Sequence, residues 1–485
     1  MSIANPDAVV VGSGPNGLAA AITLARAGLS VRVYEGAAVA GGGLRSAALT
    51  LPGFVHDPCA TVVGMAGASP FFRLLGFDRL GIELAHPPIA AAHVLAPARP
   101  VLLHRDVERT AAGLGRDGGA WRRLLGPLAR ESDRLLPWIL GPFPRAPRHP
   151  LAAARFGPAG LLPATALGRL AFREEPARAL LGALSAHSLL PLEAPGSAAF
   201  GLVLAMTAHA AGFPVVRGGS QVLADALVAE FRRLGGEVVT GAAITSLGDL
   251  PRTRAVLLDI APKGFLSLAR DRLPAGYRRS LERFRYGAGA FKVDWALDGP
   301  IPWQAVELAG AGTIHLAGRL GDIAAAERTV AGGAVSAHPF VILVQATVAD
   351  PTRAPAGRHT AWAYAHVPNG SPADVTAAVE AQVEAAAPGF RDRILARHVR
   401  GAPAHEAYDP NYVGGDIGGG LPSLRQLAAR PSFRLDPYAT PLPGTYLCSA
   451  STPPGGGVHG MSGFGAARSV LRREFGIRTD PLSSG

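Results

Sequence analysis

Lysine is almost missing from this 485-residue chain: Lys263 and Lys292 stand alone among 47 basic residues, the rest being arginine. That arginine bias accounts for a formal charge of +11 and an isoelectric point near 10.4 without requiring a polyanionic partner. No Lys/Arg block with interleaved aromatics marks a nucleic-acid surface, so no nucleic-acid partner is expected. Cysteine is equally scarce. Cys59 and Cys448 cannot build a disulfide framework or a thiolate metal site, which fits a reducing cytoplasm. The sequence also lacks an H-E-x-x-H pair and any Cys/His cluster with ligand spacing, so no metal is expected. Ser13 and Ser462 lie in glycine-rich turns but outside a G-x-S-x-G context. No basic, apolar and cleavage-site pattern leads the chain, and a cytoplasmic protein is expected. One uncharged stretch, residues 194–216, is broken by Pro195, Gly196 and Pro214 and reads as a buried helix rather than a membrane span.

What is present is the composition of a globular protein, 48% hydrophobic and 17% charged, at a length that predicts two or three domains. Ala8, Val9, Val10 and Val11 form an apolar run suited to a buried parallel strand. It leads into Gly12-Ser13-Gly14-Pro15-Asn16-Gly17, a G-x-G-x-x-G turn. Leu18, Ala21, Ile22 and Ala25 then recur at helical spacing until Gly28, and residues 29–34 alternate into a second strand ending on Glu35. Gly12 permits the tight turn, Gly14 lets the backbone approach a pyrophosphate, and Gly17 allows helix and strand to pack closely. The phosphates would meet the positive end of the helix dipole. Glu35 can accept hydrogen bonds from a ribose diol and repels the extra phosphate of NADP. The strand, turn, helix, strand and acid in this order predict a dinucleotide site and leave FAD and NAD both open.

Further along stand Gly41-Gly42-Gly43 and Leu51-Pro52-Gly53-Phe54-Val55-His56-Asp57. At the far end comes Gly444-Thr445-Tyr446-Leu447-Cys448-Ser449-Ala450, followed by Ser451-Thr452-Pro453-Pro454-Gly455-Gly456-Gly457-Val458-His459-Gly460-Met461-Ser462-Gly463. Together these resemble the phytoene-desaturase-like branch of the flavin amine oxidase superfamily. The middle of the chain fits as well: residues 214–219 with Gln221-Val222-Leu223 resemble the family's turn into a helix. Residues 255–262 resemble its returning strand beside the flavin. The resemblance implies FAD as cofactor and an α/β fold, with a discontinuous Rossmann-like FAD-binding domain and a second, α+β substrate-binding domain. The first takes residues 1–69, 214–297 and 430–485; the second takes 70–213 and 298–429. It implies FAD contacts from Gly12, Ser13, Gly14, Pro15, Asn16, Gly17, Glu35, Gly42, Gly43, Leu44, Ile244, Ala450, Gly457, Val458 and Met461. The residues agree, since 445–448 read as a buried strand and 458–470 as a helix whose amino end can face an anion. The chain departs from the family near Ala450, where members usually carry an acid. The segment 244–255 is short, so the small sheet usual there is expected to be trimmed.

The resemblance also suggests chemistry. Lys292, in a strand of alternating character, matches a lysine that monoamine oxidases hold near the flavin through a water; the plain alternative is a lysine facing solvent. His459, beside the flavin-side amides, and His56 are proton-transfer candidates, with packing as the alternative role. Tyr412, Asp416 and Ile417 are expected to line the substrate pocket. Gly457 stands where monoamine oxidases place an aromatic cage wall, which disfavours simple amine oxidation. The expected activity is hydride removal from an apolar, isoprenoid or polyene substrate, with a quinone or oxygen as acceptor. An amine or amino-acid oxidase and a flavin-binding interaction protein are the alternatives. Residues 121–140 read as one amphipathic helix. Residues 141–173 carry five arginines and no acid amid apolar residues, a pattern suited to peripheral contact with anionic lipid or to an ordinary arginine-rich surface. The oligomeric state is not legible.

Overall fold

The computed structural model describes residues 5–478. Two sheets organise the chain. The first has five parallel strands in the order Thr445–Leu447, Ala255–Leu258, Ala8–Val11, Val31–Tyr34 and Glu237–Val239. Its central strand is wholly apolar and buried because both faces are covered, as parallel sheets require. The helix Pro15–Arg26 covers one face, and its Ala/Leu-rich surface packs against the helices Met461–Glu474 and Ser220–Arg233. The amino and carboxyl ends of the chain thereby share one domain. No strand lies between 240 and 254, which leaves that crossover trimmed.

The second sheet has seven strands in the order Ile394–Arg400, Gly289–Leu297, His359–Val367, Val341–Val344, Ala311–Leu316, Ile89–Ala96 and Arg99–Leu103. All pairings are antiparallel except that of Ala311–Leu316 with Ile89–Ala96. The sequence boundary at residue 297 grouped the strand Gly289–Leu297 with the dinucleotide domain. It sits instead inside this second sheet, paired on both sides and buried at every position. A uniformly buried strand reads alike in either sheet, so only its partners reveal where it belongs.

Helices between residues 118 and 210 form a layer beside this sheet. The expected helix over 121–140 is two helices, Gly118–Arg130 and Ser132–Ile139, separated at Glu131. Pro127 and Pro137 remove amide donors from this stretch, which weakens a continuous ladder. Residues 194–216 contain the buried helix Ser197–Ala210. Among the described residues no helix is long and apolar enough to cross a membrane.

Candidate functional site

The G-x-G-x-x-G turn is held in place by a residue that no motif points to. Asp259, just after the strand Ala255–Leu258, accepts a hydrogen bond from the Gly17 amide at 2.8 Å. The same residue explains why the turn is built of glycine. A Cβ on Gly12 would lie 2.9 Å from the Asp259 carbonyl oxygen, and one on Gly14 would lie 2.9 Å from its carboxylate. A Cβ on Gly17 would sit 2.1 Å from the Gly12 carbonyl oxygen. Gly12 also adopts φ +99°, which L side chains avoid.

Glu35 closes the other side. Its carboxylate accepts from the Ser13 amide at 2.9 Å, the Ser13 hydroxyl at 2.5 Å and the Ala37 amide at 2.8 Å. The Ser13 hydroxyl in turn accepts from the Gly41 amide, which draws the Gly41–Gly43 turn onto the phosphate loop. Gly42 lies so close that its Cβ would stand 2.9 Å from the Gly14 Cα.

From this turn a single cavity of about 1420 Å³ extends between the two sheets into the helical layer. Ligand pockets usually occupy about 300–1,000 Å³, so the space accommodates a dinucleotide and a second molecule. Its polar arm is lined by Gly12, Ser13, Gly14, Pro15, Asn16, Glu35 and Ile244. Gly42, Gly43, Tyr412, Ile417, Ala450, Gly457, Val458 and His459 line the middle. The far arm is apolar, walled by Trp138, Phe143, Phe156, Leu161, Phe200 and Leu204. These walls fit an FAD-sized group: a glycine cradle at one end and a helix amino terminus with no acid in its own first turn. In the middle Gly456 packs on the neighbouring glycine turn, where its Cβ would come 2.5 Å from the Gly418 carbonyl oxygen.

Several expected residues stand elsewhere. Lys292 is neither on the cavity wall nor in solvent. Its ammonium is buried, paired with Asp294, bonded to the Asp57 carbonyl oxygen at 3.1 Å and seated 4.9 Å from the Trp362 ring centroid. A buried cation needs a counter-charge, and Asp294, two residues along the same strand face, supplies it. Asp416 also lies off the wall. Its carboxylate accepts from the amides of Gly287, Gly418 and Gly420 and pins the glycine-rich loop, while Ile417 and Tyr412 reach the cavity. Leu44 is core, Met461 starts the last helix, and the Gly17 amide is already taken by Asp259.

His459 does line the cavity, yet both ring nitrogens are engaged: Nδ1 accepts from the Met461 amide at 3.0 Å and Nε2 lies 3.1 Å from the Gly455 carbonyl oxygen. Burial lowers its pKa to about 4, so the ring is a neutral cap on a helix that begins at Met461 rather than 458. His56 is likewise neutral, lowered to about 4 by burial, with Nε2 2.8 Å from the Thr50 hydroxyl.

Among the described residues two cations stand on the wall, Arg45, which is paired with Asp409 at 3.8 Å, and Arg430. The Arg430 guanidinium donates to the Gly419 carbonyl oxygen at 2.7 Å and the Gly420 carbonyl oxygen at 3.2 Å, while its Nε is buried without a partner. Burial lowers its pKa to about 10, which leaves it charged at neutral pH. Motif reading missed Asp259 and Arg430 alike. The signal for Asp259 was a lone acid closing an apolar strand; Arg430 is one arginine among many.

Burial raises the Asp259 carboxyl from its ordinary 3.8 to about 7, with the charges of Glu35 and Asp409 adding and the Gly17 amide opposing. A folded-state pKa above the unfolded one means that this group's stabilising contribution is complete below pH 4 and is lost as pH rises through 7. Asp259→Asn keeps the acceptor for Gly17 and removes the titration. The melting temperature of wild type should therefore fall relative to Asp259→Asn between pH 4 and 8. A difference that stays constant with pH would place the carboxyl in its ordinary range.

The fold and cavity are those of a Rossmann-like dinucleotide-binding domain whose site continues into an apolar compartment. The signature of the NAD(P)-binding Rossmann-like domain matches residues 10–75. The chain is 26% identical to the pyridine nucleotide-disulfide oxidoreductase domain-containing protein 2 of Rattus norvegicus, over 96% of this chain and 93% of that protein. It is 34% identical to the hydroxyneurosporene desaturase of Cereibacter sphaeroides across 251 residues, 46% of each chain. A putrescine oxidase variant shares the fold at a TM-score of 0.62 and 17% identity, covering 97% of this chain and 99% of that one. The chain is thus similar over nearly its whole length to an oxidoreductase-domain protein and over about half of it to a desaturase.

Proposed function

We propose that this chain binds FAD in the polar arm and middle of the cavity and oxidises an apolar, isoprenoid-like molecule held in the helical arm, with a quinone or oxygen as final acceptor. The observation that carries this reading is continuity: one cavity joins the glycine turn to a wall of Trp138, Phe143, Phe156 and Leu204. Bound FAD supplies a two-electron acceptor for hydride leaving carbon. The open end of the helix Pro15–Arg26 faces the pyrophosphate, and Glu35 faces the ribose. Arg430 provides a fixed positive charge on the cavity wall, the role that Lys292 is too far inside the sheet to fill. The apolar arm excludes water and orients the substrate carbon. Of the histidines on the cavity wall, His187 in that arm and His459 in the middle are neutral, lowered to about 3 and about 4 by burial. The reaction therefore leans on the cofactor and on binding geometry.

Gly457 puts no side chain at its own place on the wall, which counts against an aromatic cage residue at that position. The relative named for hydroxyneurosporene supports an isoprenoid reading. Phe143, Leu161 and Leu424 line the cavity while 54%, 58% and 38% exposed, so the apolar arm opens at the surface beside the arginine-rich segment 141–173. That placement supports loading from an anionic membrane surface.

A single experiment addresses cofactor, substrate and surface. Protein reconstituted with FAD is expected to show flavin absorption bands and to bleach without oxygen when isoprenoid hydrocarbons are presented in anionic liposomes. Absence of flavin bands after reconstitution would sink the cofactor assignment. Bleaching by primary amines alone, with peroxide release in air, would favour an amine oxidase, and no bleaching across either panel would favour an interaction protein. Protein that stays wholly unbound by the liposomes at low salt would remove the membrane step.

A further inference from the structure

His187 and Tyr364 put polar atoms on the cavity wall beside a buried histidine system that plays no part in the proposed reaction: His315, which His187 touches, and Tyr364 both pair with Ile342 and so share one face of the seven-stranded sheet. The Nε2 of His187 lies 2.9 Å from the Nε2 of His315, which is fully buried on the strand Ala311–Leu316. Phe340 stacks on His315 with ring centroids 5.7 Å apart and also touches His366. His366 is itself paired with the buried Glu327 at 2.8 Å and lies 5.5 Å from the Tyr364 ring.

The proton positions follow from what each nitrogen can reach. The Nδ1 of His315 is buried with no partner. A proton there would be an orphaned buried donor, which native structures avoid more strongly than an unpaired acceptor. His315 therefore carries its proton on Nε2 and donates to His187. His187 accepts at Nε2, so its own proton is on Nδ1, a nitrogen absent from the buried, unpaired atoms of the described residues. Burial keeps this imidazole neutral. The Tyr364 hydroxyl is likewise free of a protein acceptor and is not sealed in the core. Two neutral donors thus face an otherwise hydrocarbon wall.

We propose that His187 and Tyr364 form a polar anchor that selects a substrate carrying one neutral acceptor oxygen, a carbonyl or hydroxyl, on an otherwise hydrocarbon skeleton. A pure hydrocarbon leaves both donors desolvated and unpaired, whereas an acceptor oxygen on the substrate satisfies a donor that it reaches. The proposal rests on the apolar-substrate reading above and adds the functional group that the substrate bears.

The test compares two probes on the FAD-loaded protein: geranylacetone, and the same skeleton with its carbonyl reduced to a methylene. Binding is read by quenching of Trp138, which lines the same arm. The ketone is expected to bind about three- to tenfold more tightly, the usual net effect of a buried hydrogen bond. His187→Phe and Tyr364→Phe are each expected to erase most of that preference, and His187→Gln, which keeps a donor, to retain part of it. Tyr364→Phe removes a single oxygen and keeps the ring stacked 5.9 Å from Trp362, so it reports even where His187→Phe disturbs folding. Equal binding of the two probes to wild type, or a preference that survives both substitutions, would overturn the anchor. Binding of neither probe would overturn the apolar-substrate reading and this proposal together.

Discussion

Gly17→Ala is expected to yield a folded protein that no longer retains FAD. The added Cβ would stand 2.1 Å from the Gly12 carbonyl oxygen and 3.0 Å from the Asp259 carboxylate. Neither neighbour can retreat cheaply. Gly12 is fixed by its amide bond to the Tyr34 carbonyl oxygen, and Asp259 by its own amide bond to the Val11 carbonyl oxygen. The helix Pro15–Arg26 must therefore move off its strand, which takes its amino terminus away from the site where the pyrophosphate would lie. Overpacking of this kind costs about 1–3 kcal/mol, and the upper half of that range corresponds to about a 100-fold loss of affinity when it falls wholly on binding. Flavin absorbance after gel filtration and titration with FAD measure the loss. Gly157→Ala is the matched control: a Cβ there meets nothing within 4 Å, and Gly157 lies in a cavity-lining helix. That variant is expected to keep FAD and to gain slightly in stability, since glycine inside a helix costs about 1 kcal/mol relative to alanine. Full flavin retention by Gly17→Ala would separate the turn from the cofactor site.

The same turn shows what could be read from sequence and what could not. Ala8–Val11, the glycines and the helix Pro15–Arg26 are consecutive, so their period and punctuation record the local structure directly. The return of residues 445–463 to this domain was legible only through resemblance, because nothing local states that Thr445–Leu447 pairs with Ala255–Leu258. Lys292 marks the limit of alternation. The strand Gly289–Leu297 is buried on both faces, so neither face is a solvent face, and the lysine is buried with Asp294. Asp259, Arg430 and the pair His187–His315 escaped notice for a common reason. Their partners lie on distant segments of the chain or on backbone carbonyls, and neither composition nor period encodes such contacts. The last helix begins three residues later than its apolar pattern, since Gly460 turns left-handed at φ +66° and His459 caps the first amide.

Asp57→Ala is expected to destabilise the folded chain by about 3–5 kcal/mol, because it strands a buried cation. Asp57 is 1% exposed and fully occupied: one carboxylate oxygen accepts from the Ser46 hydroxyl at 2.6 Å and the Ser220 amide at 2.9 Å, the other from Arg353 at 2.5 Å. Arg353, also 1% exposed, donates onward to Asp350 at 3.2 Å and to the Val216 carbonyl oxygen at 2.8 Å. Asp350 accepts in turn from the Gly218 amide at 2.7 Å. These bonds tie the loop after the glycine turn, the turn into the helix Ser220–Arg233 and the segment after the strand Val341–Val344 at one buried point. The carbonyl oxygen of Asp57 also holds Lys292, so the point extends into the seven-stranded sheet. Cooperative loss is therefore expected on removing either end. Urea unfolding of Asp57→Ala, Arg353→Met and the double variant separates the pair from its surroundings. The double variant should be less destabilised than the sum of the singles by about 0.5–3 kcal/mol, since deleting both charges leaves neither member of the pair stranded, and Asp350 keeps its hydrogen bonds from Gly218 and Thr352. Additive losses would mean that Arg353 is compensated by Asp350 and the Val216 carbonyl oxygen without Asp57. The two domains would then be joined by apolar packing around the cavity and not by this ionic tie.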